Sequence, residues 1–206
     1  MFKKSALAVV VAASMTPAAA MAEATLYGQA RVFFVNEDDG LAVTNSDHWE
    51  MKSEASRLGV KGSAELEGGL EAIYKLEFEV DPAGDTEGIQ KNRNGYIGLK
   101  GDFGQVIFGK HDTPLKKSQG KVDLFSDYVG ADMKYGLSGE ERIDNLVYYK
   151  SPKIADTINI HVGFAPGEGA DIDADGTSDQ GIADMTSLAV AYNADNLYLA
   201  LAHDQN

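Results

Sequence analysis

Three aspartates alternate with other residues in the segment Asp171-x-Asp173-x-Asp175-Gly176. Carboxylates at the first, third and fifth positions, followed by glycine at the sixth, begin an EF-hand-type calcium loop. The glutamate that such a loop needs at its twelfth position is replaced by Ile182, and the sequence around it indicates no amphipathic helix. A solvated acidic loop is the favoured interpretation, with weak calcium binding as the alternative. The sequence therefore predicts no resident metal.

The histidines are the other side chains with catalytic potential, and none lies in a recognisable catalytic motif. They are His48, His111, His161 and His203. The chain has no G-x-S-x-G nucleophile motif, no H-E-x-x-H zinc motif and no cysteine. The sequence thus predicts neither an enzyme nor a cofactor. A hydrolase whose triad forms only in space remains an alternative.

Charged side chains instead lie in the middle of predicted strands, at Arg57, Lys61 and Lys75. Their strands alternate polar and apolar residues with period two, as strands with one apolar face do. In residues 70–80, Leu70, Ala72, Tyr74, Leu76, Phe78 and Val80 oppose Glu71, Lys75, Glu77 and Glu79. Ile143, Val147 and Tyr149 are similarly predicted on one apolar face. The pattern predicts about nine strands, at 25–35, 53–67, 70–80, 93–100, 105–110, 142–150, 157–164, 187–192 and 197–202.

The connections between these strands alternate in length. Short turns fall at 67–69, 101–104, 151–156 and 193–196, and long polar segments at 36–50, 81–92, 111–141 and 165–185. Transmembrane barrels of the outer membrane have short periplasmic turns and longer external loops. The pattern therefore favours an all-β transmembrane antiparallel up-and-down β-barrel. A soluble β-sandwich is the alternative, but soluble strands centre on about 5–6 residues, whereas several of these approach the length of about 9–11 residues that a tilted membrane-crossing strand needs. The charges near mid-strand are compatible with a water-filled lumen.

Composition and the N-terminus agree with an exported barrel. The formal net charge of −14 disfavours nucleic-acid binding, and the mean hydropathy of −0.24 disfavours a helical membrane protein. Lys3 and Lys4 precede a short apolar run and the small-residue segment Ala20-Met21-Ala22. Residues 1–22 are predicted to be a signal peptide cleaved before Glu23. A membrane anchor is the alternative for this segment, although the apolar run is short for a membrane span.

The strand sequences resemble those of the Gram-negative general diffusion porins. The resemblance rests on LYGQ at 26–29, SRLGVKG at 56–62, NGYIGLK at 94–100, FGQVIFGK at 103–110, RIDN at 142–145 and YYKSP at 148–152. It extends over essentially the whole chain after the signal peptide, in the order and spacing of the family. It implies a barrel of 16 strands in the full protein, of which 23–206 form an N-terminal portion.

The family resemblance also implies a pore constriction. The third external loop, at 111–141, would fold inward and carry the acidic residues Asp123 and Asp127. Arg57, Arg93 and Arg142 match the basic wall of the family, and Arg31 joins them because it shares a face with Gln29. Opposed charges across a water-filled gap of about 7 Å would create a transverse field that favours polar solutes.

The function that follows is passive diffusion of ions and small polar solutes across the outer membrane of a Gram-negative bacterium. The implied partners are outer-membrane lipid, lipopolysaccharide and two further copies in a homotrimer. The acidic fourth loop favours cations at the mouth, although the inner face carries both signs. A non-conducting structural or adhesive barrel is the alternative. Nine strands do not close a barrel, so a longer protein or a truncated gene is expected.

Overall fold

A computed structural model describes residues 23–37, 48–84, 88–120, 122–128, 133–136, 138–139, 141–167 and 181–205. The predicted signal peptide and the predicted calcium residues Asp171, Asp173 and Asp175 lie outside these ranges. The strands are β1 (Glu23–Gln29), β2 (Val32–Glu37), β3 (His48–Ser53), β4 (Arg57–Glu65), β5 (Glu71–Val80), β6 (Ile89–Gly101), β7 (Gly104–Asp112), β8 (Arg142–Lys150), β9 (Ile158–Ala165), β10 (Met185–Ala194) and β11 (Leu197–Gln205). A single-turn helix, α1 (Pro114–Ser118), follows β7.

Nine of these strands form one antiparallel meander, in the order β1-β4-β5-β6-β7-β8-β9-β10-β11. Each strand therefore pairs with its neighbours in the chain, apart from the insertion of β2 and β3 between β1 and β4. The predicted antiparallel meander of nine strands is confirmed for this sheet, and β2 and β3 are two further strands that form a separate sheet. Within the described ranges, β1 and β11 are the two edges of an open sheet.

The apolar face of the sheet is exposed and lies opposite the inner face, which α1 contacts. Leu26 is 69% exposed, Ile97 is 67% exposed and Leu201 is 80% exposed, although all three lie within strands. Other exposed apolar residues of the same face are Leu58, Leu76, Leu99, Phe108, Val162, Leu188, Val190, Leu197 and Leu199. A soluble sandwich would bury this face against a second sheet. Its exposure over consecutive strands is instead typical of a lipid-facing barrel surface.

The first hairpin is interrupted, which differs from the sequence prediction of continuous strands at 25–35 and 53–67. Pairing of β1 with β4 ends at Gln29 and Arg57, and a separate two-stranded sheet of β2 and β3 continues beyond the break. Ser56 holds this break because its fully buried Oγ accepts a hydrogen bond from Arg31 N at 2.9 Å and donates one to Arg31 O at 3.1 Å. Ala55 beside it has a positive φ of 51°. The strand pattern does not reveal this break because the alternation continues through it.

A small apolar cluster lies on the inner face under α1. It contains Ile107, Leu146, Tyr148, Ala165 and Met185. A side chain at Gly163 of β9 would meet Pro114 of α1 and Leu146 of β8, so only glycine permits this close approach. None of the helices among the described residues is long and apolar enough to span a membrane.

Ile143 is a correction to the predicted strand faces. The sequence places it on one apolar face with Val147 and Tyr149, but it packs against the inner cluster. The cause is an irregularity of β8, where the register with β7 shifts between Gly109 and His111 and Asn145 has a positive φ of 56°. Such a bulge moves the residues beyond it to the other face of the strand.

Candidate pore constriction

The segment after β7 folds back against the inner face of the last strands. Thr113 starts α1, since its Oγ1 accepts a hydrogen bond from Lys116 N at 3.1 Å. Leu115 N donates to Ser187 Oγ of β10 at 3.2 Å, and Tyr198 of β11 donates through its hydroxyl to Ser118 O at 2.6 Å. These bonds tie the start of the loop to the wall. The inward fold of the whole loop at 111–141 stays a prediction.

The far part of the same loop reaches the opposite end of the sheet, near β1, β4 and β6. Asp127 Oδ2 lies 3.2 Å from Arg31 Nη1 and 3.5 Å from Arg57 Nη1, and its Oδ1 lies 3.9 Å from Arg93 Nη2. Arg31 also donates to the backbone oxygens of Ser126 and Asp127, at 3.4 and 3.3 Å. The backbone at Asp127 is left-handed, with φ of 65°, which aspartate tolerates better than most residues. We call Asp127, Arg31, Arg57 and Arg93 the loop-tip cluster.

Two carboxylates of β5, those of Glu77 and Glu79, form ion pairs with Arg93. Arg93 Nε donates to Glu77 Oε1 at 3.1 Å and Arg93 Nη1 to Glu79 Oε2 at 2.8 Å. Glu77, which is 5% exposed, also accepts from Tyr27 at 2.8 Å and pairs with Lys75 at 3.0 Å. A buried carboxylate is stable when it is paired and hydrogen-bonded in this way. These pairs fix the direction of the Arg93 guanidinium.

The remaining predicted residues are placed apart from the loop-tip cluster. Arg142 Nη2 lies 2.8 Å from Asp112 Oδ1, at the end of the neighbouring strand β7. Asp123 makes none of the ion pairs found among the described residues. The structure therefore brings together Asp127, Arg31, Arg57 and Arg93, and leaves Arg142 and Asp123 outside that contact.

Asp127 lies within 4 Å of Arg31, Arg57 and Arg93, whereas a gap of about 7 Å between the acidic loop and the basic wall is expected from the sequence. Asp127 touches its arginines directly, so the charges form closed ion pairs. The field of a closed pair decays faster with distance than that of two charges held apart across a gap. The net charge of the side chains around the gap then influences a passing ion more than the transverse field of the ion pairs does.

A cavity of about 620 Å³ lies between the loop and the wall. Six of its lining residues are cationic and three are anionic. The cationic residues are Arg57, Lys75, Arg93, Lys116, Lys117 and Arg142, and the anionic ones are Glu77, Asp112 and Asp127. The described lining thus has a surplus of positive charge, in contrast to the formal charge of −14 of the whole chain.

A family model for Gram-negative porins matches residues 6–206 of this sequence. The chain belongs to the Gram-negative porin family. Among its relatives, major outer membrane protein P.IB of Neisseria sicca is 36% identical over 163 residues, covering 74% of this chain and 44% of that protein. Outer membrane porin protein 32 of Delftia acidovorans is 32% identical over 177 residues, covering 79% of this chain and 49% of that protein. This porin chain spans about half the length of the curated relatives it matches.

Two solved porin structures have the same fold. The anion-selective porin from Comamonas acidovorans superposes with a TM-score of 0.70 at 24% identity, covering 89% of this chain and 57% of that one. OmpF of Salmonella typhi, in complex with daunomycin, gives a TM-score of 0.61 at 14% identity, covering 88% and 53%. The predicted barrel fold is confirmed by these structures. The predicted location in the outer membrane of a Gram-negative bacterium is confirmed by the named relatives.

Several residues of the site in this porin chain are not predicted from the sequence. His111 and Asp112 were expected in the loop, but they belong to β7 and line the cavity. Lys116 and Lys117 of α1 were not predicted as site residues, because the resemblance directs attention to acidic loop residues. The two lysines follow a Thr-Pro pair, which is a helix-start signal that could have placed them on an inward turn.

A row of rings lies on the inner face beside Asp112. Tyr96, His111, Tyr148 and His161 come from the four consecutive strands β6 to β9, with successive ring centroids 5.3, 4.9 and 5.8 Å apart. The Tyr148 hydroxyl and His161 Nδ1 are hydrogen-bonded. Within the described part of the chain, no group of three or more histidine or acidic side chains is arranged to hold a metal ion. Tyr96 and His111 of this row line the cavity.

Proposed function

We propose that the protein containing this chain is a water-filled outer-membrane channel for passive diffusion of ions and small polar solutes. The observation that carries the proposal is the charged cavity between the loop-tip cluster and the strand wall. Six cationic and three anionic side chains line it, which is the composition of a wet lumen. An apolar exterior and a polar interior are the two faces that a membrane-spanning barrel requires.

The residues of the loop-tip cluster form the narrow part of the channel in this proposal. Asp127 bridges Arg31 and Arg57 and so holds the loop over the lumen, while Glu77 and Glu79 orient Arg93 beneath it. Arg142 and Asp112 form the facing part of the wall, on β8 and β7. Asp123 is proposed to contribute only its charge, since it lies outside these contacts. Charged side chains that ring a constriction are a recurrent means of selecting solutes.

We further propose that the constriction prefers anions. The three anionic lining residues are each within 4 Å of a lining arginine, and Lys117 forms no ion pair among the described residues. A surplus of fixed positive charge raises the local concentration of anions. The structural neighbour from Comamonas acidovorans is named as anion-selective, which supports the same direction. This proposal differs from the expectation of a cation preference, which rested on the total charge of −14 and on an acidic loop outside the described residues.

The remaining properties follow from family membership and stay proposals. We propose that the full protein is a homotrimer, contacts outer-membrane lipid and lipopolysaccharide, needs no cofactor and catalyses no reaction. Residues 1–22 are proposed to be removed on export, and 23–206 to form the N-terminal portion of the barrel. Asp171, Asp173 and Asp175 are proposed to be a solvated surface rather than a calcium site.

Swelling of proteoliposomes tests the diffusion function. The native protein, purified from outer membranes, is reconstituted into vesicles, which are then diluted into isotonic sugars of increasing size. A channel predicts swelling rates that fall steeply as the sugar becomes larger. Vesicles that behave like protein-free vesicles for the smallest sugar would reject the channel and favour the non-conducting structural or adhesive barrel.

A further inference from the structure

Two lysines lie side by side on the inner face, below the loop-tip cluster. Lys61 of β4 and Lys75 of β5 are direct partners in the antiparallel register. Tyr27 of the neighbouring strand β1 contacts both, with its ring centroid 5.7 Å from Lys61 Nζ and 5.6 Å from Lys75 Nζ. The two ammonium groups thus share one aromatic ring.

Like charges directly opposite each other destabilise a pair of strands. Lys75 is partly compensated by Glu77, with Nζ and Oε2 3.0 Å apart. Lys61 is exposed to the lumen and makes none of the ion pairs among the described residues. Its contact with the Tyr27 ring is weak compensation at an exposed position. Of the two lysines, Lys61 is therefore the one whose positive charge is not paired with a carboxylate among the described residues.

The position of the lysine pair relates it to the route through the channel. Strand β4 runs from Arg57, in the loop-tip cluster, towards the short turn at Glu67–Gly69. Lys61 lies four residues further along, a distance of about 13 Å at the usual rise of an extended strand. Short turns mark the periplasmic end of an outer-membrane barrel. Lys75 lines the same cavity as Arg57, so the pair continues the positive lining towards the periplasm.

We propose that Lys61 and Lys75, together with the Tyr27 ring, form a second site for small anions on the periplasmic side of the constriction. An anion such as chloride or a small carboxylate would be held there between the two ammonium groups during its passage. This inference rests on the proposed channel function and on its anion preference. The lysine pair would act on permeation mainly by raising the anion concentration at the periplasmic entrance to the constriction.

The test uses planar-bilayer recording of the native full-length protein and its variants, with potassium chloride as the only salt. Lys61→Gln is compared with wild type, with Lys61→Arg, and with Lys100→Gln as the matched control. Lys100 is at the same end of the barrel, but it is 55% exposed and its charge is paired with Glu71 at 2.7 Å. Lys61→Gln and Lys100→Gln remove the same formal charge, so a difference between them reports position.

The proposal predicts that Lys61→Gln lowers the chloride-over-potassium permeability ratio by about twofold, since a fixed positive charge in the lumen concentrates anions. Single-channel conductance falls in about 0.1 M salt and is nearly unchanged in about 1 M salt, because the Debye length shrinks from about 10 Å to about 3 Å. The decrease in conductance at low salt is larger when chloride enters from the periplasmic side. Lys61→Arg and Lys100→Gln keep the wild-type ratio.

Two results would overturn the second anion site. If wild type conducts and Lys61→Gln has the wild-type permeability ratio, the lysine pair is not a site and the channel function stands. The lysine site is also rejected, and the channel function stands, if Lys100→Gln changes the permeability ratio as much as Lys61→Gln does. The effect would then come from the total charge of the protein and not from the position of Lys61. If wild-type protein does not conduct, the channel function fails and the second site fails with it.

Discussion

The Asp127 carboxylate lies 3.2 Å from the Arg31 guanidinium, although the two residues are 96 positions apart in the chain. Arg31 stands at the break between β1 and β2, and Asp127 at the far end of the loop that follows β7. Their contact closes the loop across the lumen. The start of that loop is fixed separately by hydrogen bonds to Ser187 and Tyr198. The loop is thus held at two places on the inner face, one near each edge of the sheet.

Replacing Asp127 by asparagine is expected to strengthen the anion preference. The change removes the negative charge that neutralises Arg31 and Arg57, while asparagine tolerates the left-handed backbone at this position. Arg31 keeps its bonds to the backbone oxygens of Ser126 and residue 127, so the loop stays in place. Reversal potentials in a potassium chloride gradient measure the effect, which we expect to be about twofold in permeability ratio.

Asp123→Asn is the matched control for this variant. It makes the same charge change four residues earlier, but Asp123 makes none of the ion pairs found among the described residues. A smaller shift than in Asp127→Asn is expected. Equal shifts in the two variants would mean that the contacts of Asp127 do not determine selectivity.

Removing two arginines from the cavity lining is expected to have the opposite effect. The double variant Arg57→Ala with Arg142→Ala leaves Asp112 without its partner and weakens the neutralisation of Asp127. The surplus of positive charge falls, so the preference for cations increases. The double lysine variant keeps both charges and should stay close to wild type in the same gradient measurement. Unchanged reversal potentials in the alanine variant would reject these arginines as constriction residues.

Ser56→Ala is expected to destabilise the first hairpin. The serine hydroxyl satisfies both the N–H and the carbonyl of Arg31, and it is fully buried. Leaving these groups unpaired costs about 1–3 kcal/mol. Urea unfolding of the protein folded in lipid vesicles measures this loss. Ser53→Ala removes only one bond to Ser56 and should cost less; an equal cost would contradict the role given to Ser56.

Tyr198→Phe is expected to loosen the start of the loop without unfolding the barrel. It removes the hydrogen bond from the Tyr198 hydroxyl to Ser118 O, which is worth about 0.5–1.5 kcal/mol. Hydrogen exchange should become faster for the backbone amides of 115–120. Tyr192→Phe, on the lipid-facing side of β10, is the control and should leave those amides unchanged. Protection equal to wild type in Tyr198→Phe would show that this bond does not hold the loop.

The strand faces could be predicted from the sequence because period two relates a residue directly to its side of the sheet. Leu76 and Glu77 illustrate this, with the leucine exposed outward and the glutamate buried inward. Ile143 could not be placed in the same way, since the register shift that moves it depends on pairing with β7. Periodicity within one strand contains no information about such a shift.

The site could be predicted only in part, for a related reason. Arg31, Arg57 and Arg93 could be assigned to one wall, and Asp127 to the loop, from residue types and family motifs. The partner of Arg142 could not be foreseen, because Asp112 was counted in the loop when it belongs to the last position of β7. The direct contact of Asp127 with its arginines depends on how far the loop reaches, which length alone does not determine.

The most direct test of the channel is the current through single molecules of the native protein in a planar bilayer. A tenfold potassium chloride gradient across the bilayer gives both conductance and selectivity in one recording. We expect stepwise, lasting conductance increments and a reversal potential whose sign shows that chloride is more permeant than potassium. A bilayer that keeps its bare conductance after the protein has inserted would contradict the channel function. A reversal potential of the opposite sign, which shows that potassium is more permeant, would contradict the anion preference.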